Sequence, residues 1–261
     1  MKASRVLPFF VFSTGCRAAA ICACLCLLSA QSARASERAF AYTYQSLTAP
    51  VGELELENKL TWKSRPGQIR EFAFQHELEF GLSEKTQLAL YVANWQYDAR
   101  ERGSAYQSSG LEIIHNFTHP VKDLLGSAIY GEVQMGDRLF SLEGKLILEK
   151  KFGPWVVAWN GEVKAEWEGR RIGDFQDSAG ELSQTLGVSY EINRSLAVGV
   201  ELLQEVPLGA WHGPANPEWY LGPNVTVRKG RFYATLTTLF QSTDRQSAPS
   251  VQARTIVGVE F

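Results

Sequence analysis

After Ala35 the chain has no cysteine, because all four (Cys16, Cys22, Cys24 and Cys26) fall within the first 35 of its 261 residues. That absence removes a disulfide framework, a thiol nucleophile and a cysteine zinc site from the rest of the protein. Positive charge is also scarce. Four of the 26 basic residues (Lys2, Arg5, Arg17, Arg34) and none of the 28 acidic ones precede Ser36, which leaves 22 against 28 and a formal net charge of −6. Such a balance speaks against a nucleic-acid partner. No segment beyond Ser36 holds a 3.6-residue apolar stripe for three turns, so a helical domain is excluded. A catalytic constellation is missing as well. None of His76, His115, His119 and His212 stands beside a serine in a recognisable motif, and His115 and His119 have helical ligand spacing where a strand ends. No enzymatic activity, metal or cofactor is expected.

What is present begins with an export leader. Lys2 and Arg5 precede an apolar run over 18–30, and Ala33-Arg34-Ala35 supplies a small-residue cleavage site, so 1–35 reads as a signal peptide. Residues 51–261 read as the folded domain, and 36–50 as a periplasmic lead-in or a short piece tucked into that domain. Phe40 to Gln45 alternates, but counting it as a strand would make the total odd and place the amino terminus outside the cell.

From Glu53 onward the apolar period is two. Twelve candidate strands span 53–64, 70–82, 87–98, 110–118, 127–135, 139–152, 155–168, 181–192, 196–205, 218–229, 231–242 and 251–261. Their connections alternate. Ser83 to Thr86, Gly153-Pro154, Asn193 to Ser195 and Gly230 are tight, whereas 99–109, 169–180, 206–217 and 243–250 are longer and polar. Two break the pattern, 119–126 being long on the short side and 136–138 short on the long side. The fold expected is all-β, a transmembrane antiparallel up-and-down β-barrel of about 12 strands in the bacterial outer membrane.

Thr255, Val257, Val259 and a terminal Phe261 on one strand face resemble the carboxy-terminal signature of bacterial outer-membrane β-barrels. The opening Ala49-Pro50-Val51-Gly52-Glu53-Leu54-Glu55-Leu56 resembles uncharacterised, transporter-like barrel families, among them barrels linked to aromatic-degradation pathways. The resemblance implies outer-membrane lipid and the barrel assembly machinery as partners, with Phe261 as the assembly signal.

Pairing the first hairpin about Gly67 puts Leu54 opposite Phe80, Leu56 opposite Leu78, Leu60 opposite Phe74 and Trp62 opposite Phe72 on the lipid face. Pairing the next across Glu84-Lys85 adds Ala89, Tyr91, Trp95 and Tyr97 to that face. Inside, Glu55, Glu57, Glu77 and Glu79 cluster as four carboxylates, which must share protons, hold a cation or meet lysine or arginine from elsewhere. About Gly153-Pro154, Glu143 opposes Lys164 and Lys145 opposes Glu162, a charge ladder of structural character. Inward glutamates far outnumber inward lysines and arginines, so a water-filled path is expected to prefer cations. Asn58 and His76 form an outward polar pair at mid-strand, explained by a mutual hydrogen bond or bulge, by an oligomer contact, or by a membrane-embedded catalytic histidine. Pro223 suggests a bulge near Gly222. The function expected is a narrow cation-preferring channel or facilitator for small cationic or neutral solutes, the alternative a non-conducting structural or partner-binding barrel, and a lipid-modifying outer-membrane enzyme ranks behind both. The oligomeric state stays open too.

Overall fold

The structure, a computed structural model, describes residues 38–261 apart from 68, 100–102, 212 and 215. The leader 1–35 and His212 therefore lie outside the described residues. Twelve strands run as β1 Leu54–Arg65, β2 Ile69–Ser83, β3 Thr86–Asp98, β4 Gly103–Thr118, β5 Gly126–Met135 and β6 Leu139–Phe152, followed by β7 Trp155–Gly169, β8 Phe175–Asn193, β9 Leu196–Gly209, β10 Glu218–Lys229, β11 Phe232–Gln241 and β12 Val251–Glu260. Each is antiparallel to its neighbours, and β12 pairs with β1 to close a barrel without an edge. Closure leaves no unpaired strand edge facing hydrocarbon.

The end that carries β1's start and β12's finish has the tight turns, among them Gly153-Pro154 and Asn193 to Ser195, and is the periplasmic end of such barrels. The exception at 119–125 is an ordered turn. His119 and Asp123 close it, with Asp123 N donating to His119 O at 3.0 Å and His119 N to Asp123 Oδ2 at 2.7 Å.

Three strands run further outward than the alternation predicts. β4 starts at Gly103, β8 at Phe175, and β9 ends at Gly209, so the expected loops over 99–109, 169–180 and 206–217 shrink. Beyond the bilayer both faces of a strand meet water, and polar residues then carry the ladder without any apolar period.

The β1–β2 and β6–β7 registers are as the hairpin arithmetic gives them, with Leu56 opposite Leu78, Asn58 opposite His76 and Lys145 opposite Glu162. The β2–β3 register holds only in its outer half, where Phe74 faces Trp95 and Phe72 faces Tyr97. A register shift between His76 and Glu77 then pairs Glu77 with Tyr91 and Glu79 with Ala89. Tyr91 and Ala89, expected on the lipid face, are buried inside. The extra residue of a bulge flips every side chain beyond it, and simple alternation cannot register that. At Pro223 the opposite holds, since the register to β9 is continuous and pairing to β11 resumes in step at Asn224. The expected bulge is absent, and Gly222 and Pro223 just go unpaired on the β11 side.

Outward residues form the lipid belt. Phe74, Leu90, Leu111, Ile129, Leu146, Val163, Leu186 and Val200 are exposed around its circumference. Aromatic pairs mark both rims, with Trp95 against Tyr106 at 5.7 Å and Phe140 against Trp167 at 5.5 Å outside, and Trp155 against Tyr190 at 4.9 Å at the periplasmic end.

Candidate functional site: the occupied lumen

Residues 38–50 do not stay below the barrel. They enter the lumen as an irregular strap whose Ala39 to Thr43 and Ser46 are buried. A strap without strand partners needs acceptors and donors for its backbone, and inward side chains supply them. Glu201 on β9 accepts from the backbone N–H groups of Ala41, Tyr42 and Thr43 at 2.9, 2.8 and 2.8 Å, and from Thr43 Oγ1 at 3.0 Å. Three successive amides converging on one carboxylate form an anion nest turned to internal use. Asn160 on β7 accepts from Tyr44 N at 2.6 Å and donates to Tyr44 O at 3.0 Å. Glu149 on β6 accepts from Ser46 N and Oγ at 2.7 and 2.8 Å, Asn116 on β4 donates to Ser46 O at 2.7 Å, and Gln87 on β3 accepts from Ala49 N at 2.8 Å. At the other end Asn224 on β10 donates to Ala39 O at 2.6 Å. The strap thus visits β10, β9, β7, β6, β4 and β3 in turn before joining β1.

Glycine clears room for it. A Cβ on Gly187 would lie 2.6 Å from the Phe40 ring, so the missing side chain on β8 is the seat of that phenylalanine. Gly258 on β12 does the same for the ring of Tyr233, whose hydroxyl donates to Glu57 Oε2 at 2.6 Å and also reaches Glu55.

The four-carboxylate cluster is met from both sides. Lys59, on the same strand as Glu55 and Glu57, places Nζ 3.1 Å from Glu57 Oε1 and 2.6 Å from Glu77 Oε2. Arg38 of the strap places Nη1 3.0 Å from Glu57 Oε2 and 3.9 Å from Glu79 Oε1, and Gln87 donates to Glu79 Oε2 at 2.6 Å. Glu57, Glu77 and Glu79 have oxygens close enough together to share one cation. Arg38 and Lys59 already occupy the approach. Of the two basic groups that meet this cluster, Lys59 comes from its own strand and Arg38 from the strap, a source that the strand pattern did not reveal.

Tyr44 projects from the strap into the middle of the barrel. Its ring lies 5.1 Å from Arg38 Cζ, 5.5 Å from Lys59 Nζ and 4.4 Å from Lys145 Nζ, and edge-on to Tyr130 at 5.1 Å. Lys145 holds the lower rung of the ladder, in contact with Glu143 and 3.2 Å from Glu162. On the upper rung Glu143 stands opposite Lys164 in register, and the ion pair of Lys164 runs along its own strand to Glu166 at 2.7 Å.

The remaining sequence candidates lie outside the lumen. Asn58 and His76 share a hydrogen bond, His76 Nδ1 to Asn58 Oδ1 at 2.7 Å, on the lipid face. Phe261 N donates to Leu54 O at 2.9 Å while its ring is exposed at the periplasmic rim. His115 Nδ1 lies 3.0 Å from Thr86 Oγ1, and His119 Nδ1 accepts from Val121 N at 3.1 Å within its own turn. A second outward polar row went unread, in which Trp159 Nε1 donates to Gln184 Oε1 at 3.2 Å and Gln184 Nε2 to Gln204 Oε1 at 3.0 Å.

A family profile covers most of this sequence. Residues 32–247 match DUF6662, a family of unknown function, and the chain belongs to it. The search of curated proteins yields no match. Among solved structures, the chain is similar to the COG4313 outer membrane channel from Pseudomonas putida F1, with a TM-score of 0.59 and 9% identity over 83% of this chain and 98% of that one. The NanC porin is similar at a TM-score of 0.51 and 9% identity, over 79% and 98%. At such identity the likeness is one of fold. The fold is that of the porin-like barrels of the bacterial outer membrane, and the lipid belt is what such a location demands.

Proposed function

We propose that the protein is a narrow, cation-preferring outer-membrane channel or facilitator for small solutes, with the strap as its constriction. The observation that carries this reading is the inner wall above the strap. There Glu162, Glu166, Glu168, Glu181, Glu205 and Glu218 are half-buried or exposed, against Lys63 and Lys164, while Arg254 is turned to the strap, donating to Ala41 O at 3.4 Å. A water-facing wall with excess carboxylate concentrates cations at the outer mouth. Glu55, Glu57, Glu77 and Glu79 are assigned a different role, holding Arg38 and Lys59 and through Arg38 the strap. The test is conductance and reversal potential in planar bilayers under a salt gradient. The reading expects small cation-favouring conductance that loses its preference in the Glu166→Gln, Glu205→Gln double variant. Anion preference, or a preference unmoved by the double variant, overturns it.

A second reading, a non-conducting barrel that binds a partner, draws on the complete burial of Glu57, Glu77 and Glu201 in the lower lumen. A folded barrel that conducts nothing, even when Glu201→Leu frees the strap, would favour it.

A further inference from the structure

We propose that the lipid face of β1 and β2 is a contact for a second copy of this chain, centred on Asn58 and His76. The five outward rungs of this hairpin are Leu54 with Phe80, Leu56 with Leu78, Asn58 with His76, Leu60 with Phe74 and Trp62 with Phe72. The polar pair is the middle rung, about 13 Å along the strands from either outermost one. Neither water nor a lipid headgroup reaches that depth, so only another protein surface supplies a hydrogen-bonding partner there.

The hydrogen bond inside the pair leaves a defined remainder. Asn58 Oδ1 accepts from His76 Nδ1, which makes His76 Nε2 a bare acceptor and leaves Asn58 Nδ2 a donor. Neither atom has a further partner among the described residues. Exchanging the amide's oxygen and nitrogen reverses both roles and again leaves one donor and one acceptor. The patch is therefore complementary to itself. A two-fold axis along the membrane normal preserves depth, so Asn58 of one copy meets His76 of the other and both orphan groups are satisfied. Leu56, Leu60, Leu78 and Phe74 ring the pair with apolar surface, and Ala93, opposite His76 on β3, adds little bulk.

The Gln184 row is the internal control. It runs from the Trp159 donor through Gln184 to Gln204, and the one amide group left unused at its end is the Gln204 Nε2 donor; the acceptors on that wall are second lone pairs of oxygens already in use, whereas the His76 and Asn58 pair leaves a whole acceptor atom free.

The chain has no cysteine beyond position 26, and single cysteines can therefore report proximity. The experiment places Leu56→Cys or Leu60→Cys in the full chain, expresses it into a bacterial outer membrane, oxidises the membranes and compares the bands with those of the unaltered chain. The expected result is a reducible dimer from Leu56→Cys or Leu60→Cys and none from Leu186→Cys on the far wall. Adding Asn58→Leu and His76→Leu should cut the dimer at least tenfold. These leucines extend the apolar belt, and heat-modifiable migration verifies that each barrel is folded. Monomer alone from both β1 cysteines, an equal dimer from Leu186→Cys, or a dimer that survives the leucine pair overturns the proposal.

Discussion

The lower and upper halves of the inner wall use the same residue types for opposite ends. Along β7 the inward positions from the periplasm are Val156, Ala158 and Asn160, which are 2%, 1% and 2% exposed. Glu162, Lys164 and Glu166 come next, with side chains 19%, 33% and 29% exposed. The boundary falls where the strap ends. Below it a glutamate such as Glu201 serves as an acceptor for chain atoms in a nearly dry interior. Above it a glutamate such as Glu166 keeps its water and one lysine. Inward charge in a barrel is thus no guide to permeation until what covers it is known.

The largest break in this comparison is expected from Glu201→Leu. Three amides and two hydroxyls lose their acceptor, a cost of about 5 kcal/mol or more at 1 to 3 per orphaned group. Urea unfolding of the refolded barrel measures it, and trypsin cleavage after Arg38 reports release of the strap. An unchanged midpoint with a protected strap would remove Glu201 as the anchor.

Next come two lysines one rung apart. Lys145→Met leaves Glu143 and Glu162 without the cation that sits between them, and about 3 kcal/mol is expected. Lys164→Met above it should cost no more than about 1 kcal/mol, because its pair is partly in water. Equal costs in parallel titrations would erase the boundary between the halves.

Gly187→Ala probes the seat of Phe40 by overpacking it, and about 1 to 3 kcal/mol is expected in the same titration. A neutral effect would mean that the strap shifts freely. The smallest effect belongs to Glu166→Gln, under about 0.5 kcal/mol in stability. Its consequence is looked for in the reversal potential instead.

Much of the architecture was legible because period-two alternation is written wherever one strand face meets lipid and the other does not. Leu54 to Trp62 and Phe72 to Phe80 fix their register unaided. The outer extensions at Gly103 and Phe175 were invisible for the complementary reason, as neither face there meets lipid. Tyr91 was misplaced because a bulge leaves no mark in composition. The strap posed a harder problem. Its short alternation over Phe40 to Gln45 is a strand's pattern, yet the chain is held by single side chains on six different strands. A hint existed in Gly187, Asn160 and Asn224, inward positions too small or too polar to pack against one another. Only the closed barrel shows that they surround one segment.

The strap also imposes a chronology. Thr43 and Glu201 are 158 residues apart, and Ala39 and Asn224 are 185 apart. The earliest described residues therefore wait for some of the latest strands before their backbone has anywhere to bond. Long-range contacts of this kind slow folding, since the chain is ordered before the contact stabilises it. Closure of β12 on β1 removes the lateral opening, after which residues 39–46 can enter only through an end of the barrel. The earliest described residues are thus among the last to find their bonds.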